Sequence, residues 1–129
     1  MKKYLYLLTV IALVLPMALN AKSHIKFDNK SHDFGTIRED GGPATCEFTF
    51  VNDGDEPLVI IDAKAECGCT SPEIPLQPIA PGKSGKVKVT YNPDGRPGEF
   101  VKNVKVSTND PKNKKLRLKI SGNVVPRQH

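Results

Sequence analysis

Apolar and polar residues alternate in short runs along most of the chain. TCEFTFV sets Cys46, Phe48 and Phe50 on one side and Glu47 and Thr49 on the other. KVKVTY opposes Val87, Val89 and Tyr91 to Lys86, Lys88 and Thr90. The pattern returns with Val104 and Val106, and again with Leu116, Leu118 and Ile120. Successive side chains of an extended strand point to opposite faces, so a period of two marks a sheet with one dry and one wet face. LVIIDAKAEC reads the same way. Val59, Ile61, Ala63, Ala65 and Cys67 are predicted to face the core, with Asp62, Lys64 and Glu66 in solvent. After Ala21 no stretch carries a helical period of useful length.

Between these runs lie REDGGP (38–43), NDGDEP (52–57), APGKSG (80–85), NPDGRPG (92–98) and NDPKNK (109–114). Gly supplies positive φ, Pro fixes φ and withholds an N–H, and Asn or Asp bond their own backbone, so each cluster is a turn. This punctuation predicts about seven strands, near 24–28, 32–37, 44–52, 58–66, 85–92, 99–108 and 115–125. The fold class is all-β: an immunoglobulin-like, two-sheet antiparallel sandwich. The chain has no Trp for its cysteines to bracket, so the core is not of the antibody type.

The N-terminus changes the picture. Lys2 and Lys3 precede the apolar run LLTVIALVLPMAL, and the small residue Ala21 offers a cleavage point. That is the layout of a secretory signal peptide over residues 1–21, with an apolar stretch short for a bilayer; retention as an anchor is the alternative. One domain, 22–129, remains, and the expected localisation is secreted or periplasmic. Without Lys2 and Lys3 the formal charge falls from +5 to +3. So small an excess is a mixed, solubilising surface and not a nucleic-acid footprint.

The candidate chemistry is sulfur. Export favours oxidation; strand parity puts Cys46 and Cys67 on the core face, with Cys69 following if extension persists, and counting outward from the NDGDEP turn brings all three towards one end of the sandwich. A disulfide from Cys46 to Cys67 or Cys69 would close about 22 residues and stabilise by roughly 3 kcal/mol in the chain-entropy treatment. A Cys67–Cys69 bond needs a bend at Gly68 and suits thiol exchange. A reduced Cys67/Cys69 cluster holding copper(I), and inert buried thiols, complete the alternatives. No cofactor is called for. PGKSG lacks the spacing and the following helix of a phosphate loop, so it reads as a turn. His24 and His32 have no carboxylate at a telling spacing for a cysteine nucleophile. Lys102, Lys105, Lys112, Lys114, Lys115, Arg117 and Lys119 make the last two strands basic. They serve either as protection against sheet aggregation or as a contact for an anionic envelope polymer.

HDFGTI (32–37), FTFVNDGDEPLVI (48–60), CGCT (67–70), PIAPGKSGKVKVTYNP (78–93), STNDP (107–111) and LRLKISGNV (116–124) occur in this order. Together they resemble the bacterial domain of unknown function 1573, abundant in Bacteroidetes, and more distantly the immunoglobulin-like ASPM–SPD-2–Hydin domains. The resemblance covers nearly all of residues 22–129. It implies an exported immunoglobulin-like module whose biochemical activity is not established for the family. His32, Phe34 and Gly35 fall on its His-x-Phe-Gly position, and Cys67, Gly68, Cys69 and Thr70 on its Cys-Gly-Cys-Thr position. Cys46 lies outside that pattern. The expected function is therefore a non-catalytic structural or binding module of the cell envelope, with an envelope protein or surface polymer as partner. The alternative is a thiol–disulfide or copper(I)-handling protein centred on Cys67 and Cys69.

Overall fold

The computed structural model describes residues 21–128. The export-signal reading of 1–21 lies outside the described residues except for Ala21. Eight strands follow: β1 (Ile25–Phe27), β2 (Ser31–Arg38), β3 (Ala44–Asn52), β4 (Ile60–Ala65), β5 (Thr70–Glu73), β6 (Ser84–Tyr91), β7 (Gly98–Thr108) and β8 (Lys115–Val125). They form two four-stranded sheets, ordered β1-β3-β6-β5 and β2-β8-β7-β4. No helix occurs among the described residues.

The alternating residues meet as the pattern requires. Phe48, Phe50, Val87, Val89 and Tyr91 of the first sheet are buried against Val104, Val106, Leu118, Ile120 and Val124 of the second. The Tyr91 and Phe100 rings stack between the sheets with centroids 3.9 Å apart and planes 8° from parallel. Fully burying side chains of this size contributes about 1.5–3 kcal/mol each, which makes this layer the main source of stability.

Three expectations need correction. The strands number eight, not seven. The one missed, β5, has only four residues and contains Pro72, which breaks the alternation signal but is tolerated at a sheet edge. The sandwich is not wholly antiparallel, because β2 runs parallel to β8, pairing His32 with Ile120 and Ile37 with Val124. Finally, the register of β4 slips: Ile60 pairs with Thr108 but Asp62 with Ser107, so Ile61 is an extra residue. This bulge inverts the parity before it. Leu58 and Ile60 are buried, while Val59 and Ile61 are 38% and 60% exposed. Beyond the bulge Ala63, Ala65 and Cys67 do pack on the core, as predicted.

Candidate functional site

The Cys-Gly-Cys segment is the crossing between the sheets. At Ala65 the chain leaves β4, an edge of the second sheet, and at Thr70 it joins β5, an edge of the first. Backbone bonds close the turn and tie its far end to the residue after β6. Thr70 N–H donates to the Cys67 carbonyl at 3.3 Å, and Asn92 N–H donates to the Cys69 carbonyl at 2.8 Å. The turn brings the Cys67 and Cys69 sulfurs together as a bonded pair, with Cα atoms 5.2 Å apart, inside the span disulfides adopt. Cys69 is buried and Cys67 half-buried. The polar side chain in hydrogen-bonding range of both sulfurs is the Thr70 hydroxyl, 3.9 Å from Cys67 Sγ and 3.5 Å from Cys69 Sγ. Gly68 has neither a positive φ nor any atom within 4 Å of where a Cβ would stand, so local sterics do not demand glycine there.

Cys46 is at the same end of the sandwich but out of reach. It pairs with Val89 of β6, and Val89 pairs in turn with Pro72 of β5. One strand therefore stands between Cys46 and the Cys69 side, a separation of roughly two strand spacings or 10 Å. A disulfide spans Cα atoms no more than about 7 Å apart, so the expected Cys46 bridge is not formed. Cys46 is a free, buried thiol, and burial pushes its pKa up to about 11. Among the described residues no group of three or more His, Cys, Asp or Glu is placed to hold a metal.

The other family-motif residues join this region through the core. Gly35 has φ +70° and sits where the β2 register slips, with its N–H donating to Asp33 Oδ1 at 2.8 Å. Glycine takes that conformation at no steric cost. The slip lets Phe34 pack on the core, its ring 6.4 Å from that of Phe100. The exposed His32 sets its ring against Phe34 edge to face, at 4.6 Å. Phe100 stacks on Tyr91, and Tyr91 pairs with Thr70. A continuous line of rings thus runs from His32 to the sulfur-bearing turn. It is a packing device rather than an open site.

Several polar residues not singled out from the sequence hold the loops. Buried Asn52 donates Nδ2 to the Glu56 and Ile79 carbonyls, and its Oδ1 accepts from Gly54 N–H. Buried Asp110 accepts from Ile25 N–H, Lys112 N–H and Asn113 Nδ2, tying β1 to the β7–β8 turn. Glu39 accepts from the backbone N–H groups of Gly95 and Arg127 and pairs with the Arg127 guanidinium, which also contacts Asp94. The backbone bond from Arg127, chiefly, holds the Glu39 carboxyl below the ordinary carboxylate range. The only hint in the sequence was their place in turn clusters, where solvated Asn and Asp look the same.

The outer face of the second sheet is different. Lys64 pairs with Lys105, and Lys105 with Arg117, so three cations stand side by side across β4, β7 and β8. All three are exposed, and none enters an ion pair among the described residues. Next to them Glu66 Oε1 accepts from Asn103 N–H at 2.6 Å, taking the ladder position that β4 vacates as it turns away. Asn103, through side chain and backbone, holds the Glu66 carboxyl below its usual range, helped by Lys102 and Arg117. Lys64, Ala65, Glu66, Asn103, Lys105 and Arg117 line a shallow hollow of about 420 Å³.

The model of the family described as "Protein of unknown function (DUF1573)" matches residues 25–124. A comparison with curated proteins returns no match. Among solved structures, a protein of unknown function from Porphyromonas gingivalis W83 superposes with a TM-score of 0.70 at 18% identity, over 82% of this chain and 50% of the other. The chain therefore spans half the length of that protein. The ASH/PapD-like domain 7 of human CEP192 gives 0.62 at 20% identity, covering 90% and 95% of the two chains. The periplasmic chaperone SfaE gives 0.54 at 12% identity, covering 81% and 59%. At these identities the likeness is one of fold: a PapD-like, immunoglobulin-like sandwich.

Proposed function

We propose, for a chain that belongs to the protein family of unknown function DUF1573, the role of an exported, non-catalytic immunoglobulin-like module that binds another component of the bacterial cell envelope. One observation carries the reading: the unpaired cation row Lys64–Lys105–Arg117 on the outer face of the second sheet. Like charges directly opposite one another on neighbouring strands destabilise a sheet, so the isolated fold gains nothing from the row. A partner of opposite charge would relieve it.

The remaining polar chemistry points the same way. Asn52, Asp110 and Glu39 are engaged in holding backbone, and the Cys67–Cys69 pair fixes the crossing between sheets. The thiol–disulfide and copper(I) alternative has less support, because among the described residues no cation or histidine is within hydrogen-bonding range of either sulfur to favour a thiolate. Export rests on the leader pattern of residues 1–21 and on the family resemblance. Mass spectrometry of the protein recovered from cells should give a mature chain beginning at Lys22; a retained leader counts against release. For binding, cross-linking in intact cells should join the protein to an envelope component through the second sheet. Recovery of the monomer alone, without cross-links, would remove the module reading.

A further inference from the structure

The outer face of the second sheet also carries information about the partner's chemistry. The cation row crosses three strands at about 4.8 Å per step, so it presents positive charge across roughly 10 Å in a straight line. Lys119 continues the charge into the adjacent row, where it pairs with Asn103 of β7 and Ser31 of β2. Glu66 forms no ion pair with the row; its carboxylate is hydrogen-bonded to Asn103 and feels the charge of Arg117, so one negative charge stands beside three positive ones. The hollow is walled by charge and amide and contains no aromatic or large apolar side chain. Ile61 and Val101, the exposed apolar residues of this sheet, do not line it.

We infer that this face docks an acidic polysaccharide, a chain of sugars bearing carboxylates, laid across the strands along Lys64, Lys105 and Arg117. The inference rests on the binding-module reading and supplies its ligand class. Protein partners draw most of their affinity from a few Trp, Tyr or Arg anchors in well-packed, desolvated pockets; this hollow is shallow, has no aromatic, and its Arg117 is exposed. A hydrated polyanion needs no such anchor. Its carboxylates meet the cations, and its hydroxyls find the exposed hydroxyl of Ser31 beside Lys119. A polymer also matches a row better than a pocket, because repeated charges meet repeated cations and each weak contact raises the local concentration for the next.

The test is titration calorimetry of residues 22–129 with polygalacturonate at low salt, beside neutral dextran and polyglutamate. Polygalacturonate should bind, and less tightly as salt is raised, while dextran does not. The double variant Lys105→Gln/Arg117→Gln should weaken binding about thirtyfold, given what each surface cation contributes at an anionic surface. Lys105→Arg should retain it. Lys86→Gln, on the first sheet and paired with Glu47, should leave it unchanged. All these positions are exposed, so folding is preserved throughout. Absence of polygalacturonate binding, or equal binding by the double variant, overturns the inference; tighter binding of polyglutamate overturns it in favour of an acidic peptide. The broader reading fails separately. An envelope partner cross-linked through another surface, with no polygalacturonate binding, removes only the sugar assignment. No partner through any surface removes the module itself.

Discussion

Asp110→Ala tests whether buried polar anchors, rather than the sulfurs, hold the loops. Asp110 is 1% exposed and accepts Ile25 N–H at 3.0 Å, Lys112 N–H at 2.9 Å and Asn113 Nδ2 at 2.9 Å. β1 is otherwise held by three register pairs with β3, so the bond to Ile25 is its tie to the opposite sheet. Truncation leaves the Ile25 N–H unpaired in the interior, at about 1–3 kcal/mol, and removes charge-assisted bonds of about 1.5–3 kcal/mol each. The Lys112 and Asn113 groups are only partly buried and recover most of theirs from water. The expected loss is therefore about 3 kcal/mol, and for a domain near 100 residues this lowers Tm by about 12–24 °C. The assay is urea unfolding of residues 22–129 followed by circular dichroism. A loss below about 1 kcal/mol would show that Asp110 does not hold these loops. The pH dependence has a definite sign. Burial pushes the Asp110 carboxyl up, but the bonds from Asn113, Ile25 and Lys112, with His24 nearby, outweigh it and leave the pKa lowered. A lowered folded-state value means stability that is present above the ordinary carboxylate value near 3.9 and lost as pH falls through the folded value. The gap between wild type and Asp110→Ala should be constant from about pH 5 to 7 and narrow as pH falls below about 4.

Three further outcomes follow from the structure. In denaturant without reductant residues 22–129 should titrate a single thiol, Cys46, and natively that thiol should react slowly at pH 8 because burial raises it to about 11; three titrating thiols would show the Cys67–Cys69 pair to be open. Gly122→Ala would place a Cβ 2.8 Å from the Phe100 ring and 3.0 Å from the Gly35 carbonyl, and should cost about 1–3 kcal/mol in the same urea assay, an unchanged midpoint telling against this packing. Lys105→Glu puts an acid between Lys64 and Arg117 and should stabilise the domain by about 0.5–1 kcal/mol while abolishing polygalacturonate binding; a destabilised variant would mean the row is not under repulsion.

Most of the fold could be read from alternation because β3, β6, β7 and β8 each present a clean dry face, from Cys46–Phe48–Phe50 to Leu118–Ile120. What escaped has physical causes. A one-residue bulge at Ile61 reverses parity, and no local residue type announces it. The parallel pairing of β2 with β8 and the insertion of β6 between β3 and β5 are long-range choices. Parity put Cys46 on the correct face and the count from the NDGDEP turn put it at the correct end, but strand order decides which sulfurs meet. The motif residues could be seen in the sequence without their purpose. Gly35 serves a bulge, and Phe34 fills the space beneath it. The lysines were visible as a basic stretch, but their alignment into a row needed the register of three strands.

On the proposed reading this sandwich works through the outer face of its second sheet, while its sulfur-bearing turn serves the fold. The most direct measurement is the amide chemical-shift map of 15N-labelled residues 22–129 titrated with polygalacturonate. Shifts should concentrate at Lys64, Asn103, Lys105, Arg117 and Lys119. Shifts confined to Cys67–Thr70, or spread evenly over both sheets, would contradict it.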